Sequence, residues 1–245
     1  MGTGNSENLL ARQSKPEPAV PHKVRDARKG TGASGKFDFD FYHANVRHDA
    51  MPLIPAECGR VLDVGGGVGA TGSYLKAQGR ATNVIVADLV DGMPAPGVER
   101  IVTGDLNDAE VLRGLSKHGP FDTIFCLDLL EHLYDPWAAI SELQEMLAPD
   151  GCIVASIPNV NYVGLLAPLV LKGRFNYQET GILDRTHIRW FTKDSAFALM
   201  SRGRLRVEEC FARVPDGKVK TLDRLTCGAF KRFFALQHVI RARRH

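Results

Sequence analysis

The sequence predicts an α/β fold built on a doubly wound, mostly parallel sheet with helices on both faces. Three observations predict it. Short apolar runs alternate with segments of helical spacing across the middle of the chain. The first run, Val61-Leu62-Asp63-Val64-Gly65-Gly66-Gly67-Val68-Gly69, breaks into a glycine-rich turn directly before a helix. Carboxylates (Asp88, Asp105, Asp128) then stand where later strands end. Parallel sheets of this kind bind ligands at the carboxyl ends of their strands.

Residues 1–35 are polar and rich in Gly, Pro, Ser and Lys, which predicts a disordered tail. The tail is mildly basic through Lys23, Arg25, Arg28 and Lys29, and it lacks the apolar core of a secretory leader. The folded domain is expected over 36–245. Phe39, Phe41, Tyr42, Val46 and Met51 predict a lead-in helix within 36–56, ended by Pro52 and Pro55. Strands are expected over 60–64, 83–87, 99–102, 123–127 and 152–157, with helices over 70–78, 108–117 and 135–147 between them. Beyond these, 161–171 is helical and 172–192 reads as a long ordered loop. A helix over 193–200, a strand over 205–214, a turn at Pro215-Asp216-Gly217-Lys218 and a helix over 221–234 follow. Residues 237–242 fit a strand or a basic helix.

A chain of 245 residues that is 44% hydrophobic and 24% charged can bury a sizeable core. Its net charge of +3 gives no argument for nucleic acid. Five cysteines without a C-x-x-C pair fit a reducing, cytoplasmic setting. The longest apolar stretch, 163–171, is too short to span a membrane and contains Pro168.

Two ligand classes use a glycine loop of this kind, dinucleotides and S-adenosylmethionine (SAM). Gly67-Val68-Gly69-Ala70-Thr71-Gly72 also fits the dinucleotide pattern G-x-G-x-x-G, and a purely structural turn is a third reading. Asp63 helps to separate them. A carboxylate at the mouth of the site repels a pyrophosphate but suits a ligand with an ammonium and a sulfonium. Asp88 follows Gly67 at the spacing that lets a carboxylate accept bonds from vicinal ribose hydroxyls, with Leu89 beside it. Asp105 is placed to hold an adenine amino group, with Leu106 flanking the ring. The alternative is that Asp105 or Asn107 caps the next helix.

The glycine loop resembles motif I of the class I SAM-dependent methyltransferases. The segment from Phe121 to Pro136, which contains Asp128-Leu129-Leu130-Glu131-His132, resembles their motif IV and its following turn. Ala148-Pro149-Asp150-Gly151 and Ser156-Ile157-Pro158-Asn159 resemble the turn into strand 5 and its close. The likeness spans about residues 57–215. The chain departs from the family at Gly66, often Cys or Ser, and at Val68, often Thr. The run Gly181-Ile182-Leu183-Asp184-Arg185-Thr186-His187-Ile188-Arg189-Trp190-Phe191-Thr192 narrows the resemblance to bacterial small-molecule O-methyltransferases of the ubiquinone-biosynthesis type, some of them glycan-associated.

The resemblance implies a Rossmann-like methyltransferase fold ending in an antiparallel strand. Gly65, Gly66, Gly67 and Gly69 would carry the methionine part of SAM near Asp63, and Asp128 and Leu129 would lie near the methyl group. His132 and His187, with Asp128, are the candidates for acid–base work on a substrate hydroxyl. Residues 160–192 would form a substrate lid. Some relatives hold a divalent ion at the Glu-His pair, which here gives Asp128, Glu131, His132 and His187; a metal-free site with a His base is the preferred reading. The expected partner is a small molecule, a sugar or glycan precursor or a phenol, and not a nucleic acid. The basic C-terminal end is read as an ordinary sheet edge rather than a membrane contact. Two rivals are a nicotinamide-dependent oxidoreductase and a non-catalytic SAM-binding module, which NADH titration and a turnover assay would separate.

Overall fold

The computed structural model describes residues 45–225 and 230–245; the tail expected over 1–35 lies outside them. Among the described residues, seven strands form one sheet in the order β3-β2-β1-β4-β5-β7-β6. The parallel part comprises β1 (Gly59–Val64), β2 (Ala81–Asp88), β3 (Arg100–Thr103), β4 (Phe121–Leu127) and β5 (Leu147–Pro158). β6 (Leu205–Arg213) and β7 (Gln237–Arg244) form an antiparallel hairpin, and β7 also pairs antiparallel with β5. The mostly parallel sheet and its antiparallel end are thus both present.

The helices are α1 (Ala70–Ala77), α2 (Ala109–Gly114), α3 (Pro136–Glu145), α4 (Val163–Lys172), α5 (Lys193–Met200), α6 (Lys218–Leu225) and α7 (Lys231–Phe234). They cover both faces of the sheet, which is why the central strands are apolar on both sides. Leu62, Val64, Ile85 and Ile124 pack with Leu112 of α2, Ile140 of α3 and Leu199 of α5. Val61, Val84, Val86 and Phe125 pack on the other face with Leu75 of α1 and with Ala50, Leu53 and Ile54. Chain order runs outward in opposite senses from the β1/β4 pair, so the binding crevice falls at their carboxyl ends.

Local chemistry sets the helix starts. Asp108, rather than Asp105 or Asn107, caps α2 by accepting from the amide of Glu110 at 2.8 Å. Asp135 accepts from Ala138 at 2.9 Å ahead of α3, where Pro136 takes the first helical position. Thr192 and Ser195 form a reciprocal capping box on α5.

Three expectations are corrected. The lead-in helix over 36–56 is, from residue 45 onward, a run of turns. Its bonds, such as Ala50 to Arg47 and Leu53 to Ala50, span three residues, and Pro52 and Pro55 stop any extension. The turn at 148–151 is absorbed into β5 as an irregularity, with Asp150 at φ 61° and a register shift against β4. The helix over 221–234 is two short helices, with 226–229 between them outside the described residues.

His238 on β7 is 2% exposed, and among the described residues neither ring nitrogen has a hydrogen-bond partner. Burial, and then the nearby charge of Lys193, holds its pKa down at about 4. The unfolded chain binds this proton near pH 6.5, whereas the folded chain refuses it until about pH 4. Stability is therefore complete above pH 6.5 and lost as pH falls toward 4. Denaturant titrations of wild type and His238→Leu should diverge over that window, the variant keeping about 3 kcal/mol that the wild type loses. Parallel curves would show that His238 takes up its proton in the folded state without cost.

Candidate active site at the carboxyl ends of the central strands

The glycine loop crosses from β1 to α1 in backbone shapes that side chains resist. Gly65, Gly67 and Gly69 have φ of 75°, 59° and 83°. Asp88 at the end of β2 pins the loop: one carboxylate oxygen accepts from the amide of Gly67 at 2.7 Å and the other from Val90 at 2.8 Å. Asp63 lies beneath, 2% exposed. A Cβ on Gly66 would fall 2.4 Å from the Asp63 carboxyl carbon. The absent side chain at Gly66 is thus the room that Asp63 occupies.

Burial, and then the nearby charge of Asp88, pushes the Asp63 pKa up to about 7, against the pull of Arg47. A cationic ligand favours the ionised carboxylate. The affinity for such a ligand should therefore rise with pH, by up to about tenfold per unit below pH 7, and flatten above it. Calorimetry with SAM from pH 6 to 8 tests this. Asp63→Asn should bind weakly and without that slope; an unchanged slope in the variant would place the titration elsewhere.

These groups open into a cavity of about 860 Å³, within the range of small-molecule sites. Gly65, Gly66, Gly67 and Asp63 line it, with Asp88 and Leu89 on one flank and Leu127, Asp128 and Leu129 on another. Asn45, Arg47, His48 and Asp49 come from the turn segment, and Glu179, Asp184, Arg185 and Thr186 from the long loop. His132 and Arg213 also line it.

Asp128 follows β4 at φ 53°, a left-handed conformation that costs free energy in a non-glycine residue. Its surroundings hold it there. Its amide donates to the Ser156 hydroxyl at 2.9 Å, that hydroxyl donates back to its carboxylate at 2.6 Å, and Arg47 pairs with it at 2.9 Å. Arg47 also pairs with Asp49 at 2.9 Å. Burial works against the Arg47 charge, but Asp128 and Asp49 outweigh it and keep the guanidinium firmly protonated. Gln237 of β7 donates to Asp49 at 2.5 Å, tying the turn segment to the antiparallel hairpin.

The bend at Asp128 leads into a short 3-10 turn, Leu130–His132, that aims Glu131 inward. Glu131 is fully buried, and among the described residues neither carboxylate oxygen has a hydrogen-bond partner. Burial, and then Asp128, raises its pKa well above the usual carboxylate range. Its carbonyl accepts from the amides of Ile188 at 2.9 Å and Arg189 at 3.0 Å, which docks the long loop here. His187 on that loop donates from Nδ1 to the carbonyl of Ile182 at 2.9 Å, and His132 donates from Nδ1 to that of Thr186 at 3.2 Å. A carbonyl only accepts, so Nδ1 carries a proton in both rings, and Nε2 is the nitrogen left to bind or accept. His187 Nε2 stands 3.9 Å from Glu131, and the two rings meet edge to face at 4.7 Å. Burial, with His187 adding to it, lowers the pKa of His132.

Among the described residues, Glu131, His132 and His187 bring one ligand atom each to within 4.8 Å of one another. An orphaned buried carboxylate facing imidazoles whose Nδ1 protons are tied to carbonyls suits a divalent cation. The residues present fit such an ion. Asp128, expected as a fourth member, is committed to Arg47 and Ser156 instead.

Of the residues expected to bind a cofactor, Asp63, Gly65, Gly66, Gly67, Asp88, Leu89, Asp128 and Leu129 line the cavity. Gly69, Asp105 and Leu106 do not. Gly69 caps α1 against Val86 and Val98, Leu106 is part of the core, and Asp105 accepts from the amide of Asn107 at 2.9 Å. His187 lies behind the wall rather than on it, nine-tenths buried. Arg47, Asp49 and Ser156 were not anticipated. Arg47 and Asp49 precede every recognisable motif, and Ser156 reads simply as the end of a strand.

A model of the methyltransferase-domain family matches residues 28–203, most of the chain. The chain belongs to this family. Malonyl-[acyl-carrier protein] O-methyltransferase of Geobacter sulfurreducens is 30% identical over 202 residues, covering 76% of this chain and 73% of that protein. Ubiquinone biosynthesis O-methyltransferase of Xylella fastidiosa is 29% identical over 120 residues, 48% of this chain and 49% of that one. The chain thus spans about half the length of the ubiquinone-biosynthesis relatives it matches. The fold is that of a SAM-dependent methyltransferase from Archaeoglobus fulgidus, with a TM-score of 0.53 at 18% identity over 84% of this chain and 94% of that one. It is shared by 1,6-didemethyltoxoflavin-N1-methyltransferase of Burkholderia thailandensis, with a TM-score of 0.52 at 18% identity over 84% and 81% of the two chains. SAM is the cofactor class of this methyltransferase fold. Among the described residues, no helix is long and apolar enough to cross a membrane.

Proposed function

We propose that this methyltransferase binds SAM and transfers its methyl group to a hydroxyl of a small molecule. The observation that carries the reading is the convergence on one cavity of a bare glycine loop, the buried carboxylates of Asp63 and Asp88, and His132, behind which stand Glu131 and His187. SAM supplies an already activated methyl group on a sulfonium. The chain's own residues have three tasks: to bind it, to exclude water, and to take the proton from the substrate hydroxyl.

Asp63 suits the ammonium, and Arg47, which lines the same cavity, suits the methionyl carboxylate. Asp88 keeps lone pairs for the ribose hydroxyls beyond its two backbone bonds. His132 lines the cavity with a free Nε2, so it is the proposed proton acceptor. Its lowered pKa keeps it unprotonated at neutral pH. His187 and Glu131 stand behind it. If a divalent ion binds here, Glu131, His132 and His187 would hold it, and it would lower the pKa of a bound hydroxyl.

The O-methyltransferase relatives favour an oxygen acceptor on a small or carrier-bound substrate, and glycan precursors and phenols are the first classes to try. Titration calorimetry with SAM and S-adenosylhomocysteine, followed by product detection on catechols, phenols and sugars, tests the reading. Micromolar binding and a methylated hydroxyl support it. Failure to bind either cofactor form overturns it, and binding with no turnover on any acceptor favours a non-catalytic SAM module.

A further inference from the structure

The part of the cavity wall contributed by the long loop and by β6 has a composition of its own. The loop supplies Glu179, Asp184, Arg185 and Thr186, and the end of β6 supplies Arg213. No side chain in that stretch of wall is apolar. Small-molecule pockets are lined mainly by apolar groups, with a few polar ones to fix orientation. Here the wall offers hydrogen bonds and charge instead, which suits a polar molecule.

Most of those charges are already used within the protein. Arg185 pairs with Glu179. One oxygen of Asp184 accepts from the amide of Thr186 at 2.8 Å and from its hydroxyl at 2.6 Å. Arg213 differs. Two carboxylates lie near enough to feel its charge, Asp49 and Asp216. Both are committed elsewhere. Asp49 pairs with Arg47 at 2.9 Å and accepts from Gln237, while Asp216 pairs with Lys220 at 2.6 Å. The Arg213 guanidinium thus has no ion pair of its own among the described residues. Its backbone is well held. Arg213 stands opposite Gln237 in the β6–β7 register, and its carbonyl accepts from the amide of Leu236 at 2.8 Å. The hairpin therefore presents an exposed guanidinium, with its donors unused, on the wall of the cavity. Such a fork matches the oxygens of a carboxylate or a phosphate.

We propose that Arg213 is a specificity-determining residue that receives an anionic group, a carboxylate or a phosphate, on the acceptor molecule. The proposal rests on the methyl-transfer reading above. It narrows the acceptor from any small hydroxyl compound to a polar one whose hydroxyl faces His132 while its anionic group meets Arg213, since both residues line the one cavity.

The test is calorimetry on the full chain loaded with S-adenosylhomocysteine, using matched neutral and anionic probes. The pairs are glucose against glucuronate, glucose against glucose monophosphate, and catechol against protocatechuate. At low ionic strength at least one anionic probe should bind about tenfold more tightly than its neutral partner, the size of one charge-assisted contact. The carboxylate and phosphate arms identify the anion. The preference should shrink at physiological salt, because Arg213 is exposed. Arg213→Gln should abolish it, and Arg213→Lys, which keeps the charge without the fork, should retain part of it. Affinity for S-adenosylhomocysteine and the melting curve should not move in either variant. Loaded wild type that prefers no anionic probe overturns the proposal, and so does a preference that survives Arg213→Gln. A fall in S-adenosylhomocysteine affinity in Arg213→Gln would give this cation to the methionyl carboxylate and likewise overturn it. Failure of wild type to bind S-adenosylhomocysteine at all sinks the methyl-transfer reading first and this proposal with it.

Discussion

Asp88→Ala should lower the affinity for SAM at least about 100-fold, with the larger part lost through the protein's own loop. The Asp88 carboxylate accepts from the Gly67 and Val90 amides at 2.7 and 2.8 Å. Bonds to a charged acceptor contribute about 1.5–3 kcal/mol each, and a buried amide left unpaired costs a comparable amount. Gly67 is held at φ 59°, a shape it can leave easily once the anchor is gone. About 2.7 kcal/mol is already a hundredfold in affinity, before any bond to ribose is counted. Asp88→Asn separates the two contributions. Its amide oxygen can still accept from Gly67, while its NH2 group cannot accept from Val90 or from a ribose hydroxyl. The asparagine variant should therefore fall between wild type and alanine. Calorimetry with SAM, read beside a thermal melt, checks the order. Unchanged SAM affinity in Asp88→Ala would remove Asp88 from the cofactor site; a collapse of the melt with it would assign the loss to the fold.

What was legible in the sequence divides by the range of the interaction. The parallel strands and their helices are written locally, as apolar runs, glycine turns and capping residues, and they appear within a few residues of where the pattern places them. The glycine loop, Asp63 and Asp88 are legible for the same reason, since strand, turn and helix fix them from their own neighbours. Asp105 shows the limit. It stands where an adenine ligand is expected, but its side chain finds a nearer partner in Asn107, and no spacing rule reports that competition. Arg47 and Asp49 are illegible because their role depends on partners about eighty to nearly two hundred residues away, Asp128 and Gln237. The segment that carries them has helical periodicity, yet the ion pairs and the prolines hold it as turns. Tertiary charge pairing overrides local propensity there. The Glu131–His132–His187 cluster is half legible: the residue types could be named, but which three of the four candidates meet depends on where the strained Asp128 sends its carboxylate.

That partition decides the second large effect. His132→Ala should lower kcat about 10²–10⁴-fold, the usual contribution of a positioned acid or base, and Glu131→Gln and His187→Ala should match it only where the cluster works through a divalent ion. SAM affinity should stay within about threefold, because the cluster lies beyond Asp128 and away from the glycine loop. Glu131→Gln keeps the shape of a side chain whose buried carboxyl already resists ionisation, so the fold should hold. The three variants then distinguish the two chemistries the cluster can perform. A divalent ion needs all three donors, so manganese binding seen in calorimetry should disappear in each variant. A chelator should then lower wild-type turnover as far as the mutations do. A base needs only one free imidazole at the cavity wall. In that case His132→Ala alone should abolish the acid limb of the pH–rate profile, and the chelator should do nothing. Glu131→Gln should then act mildly, since His187 and the Nδ1 bond to Thr186 still orient the His132 ring. Full activity in both histidine variants would contradict either chemistry and leave the cluster as a brace for the loop that closes the cavity.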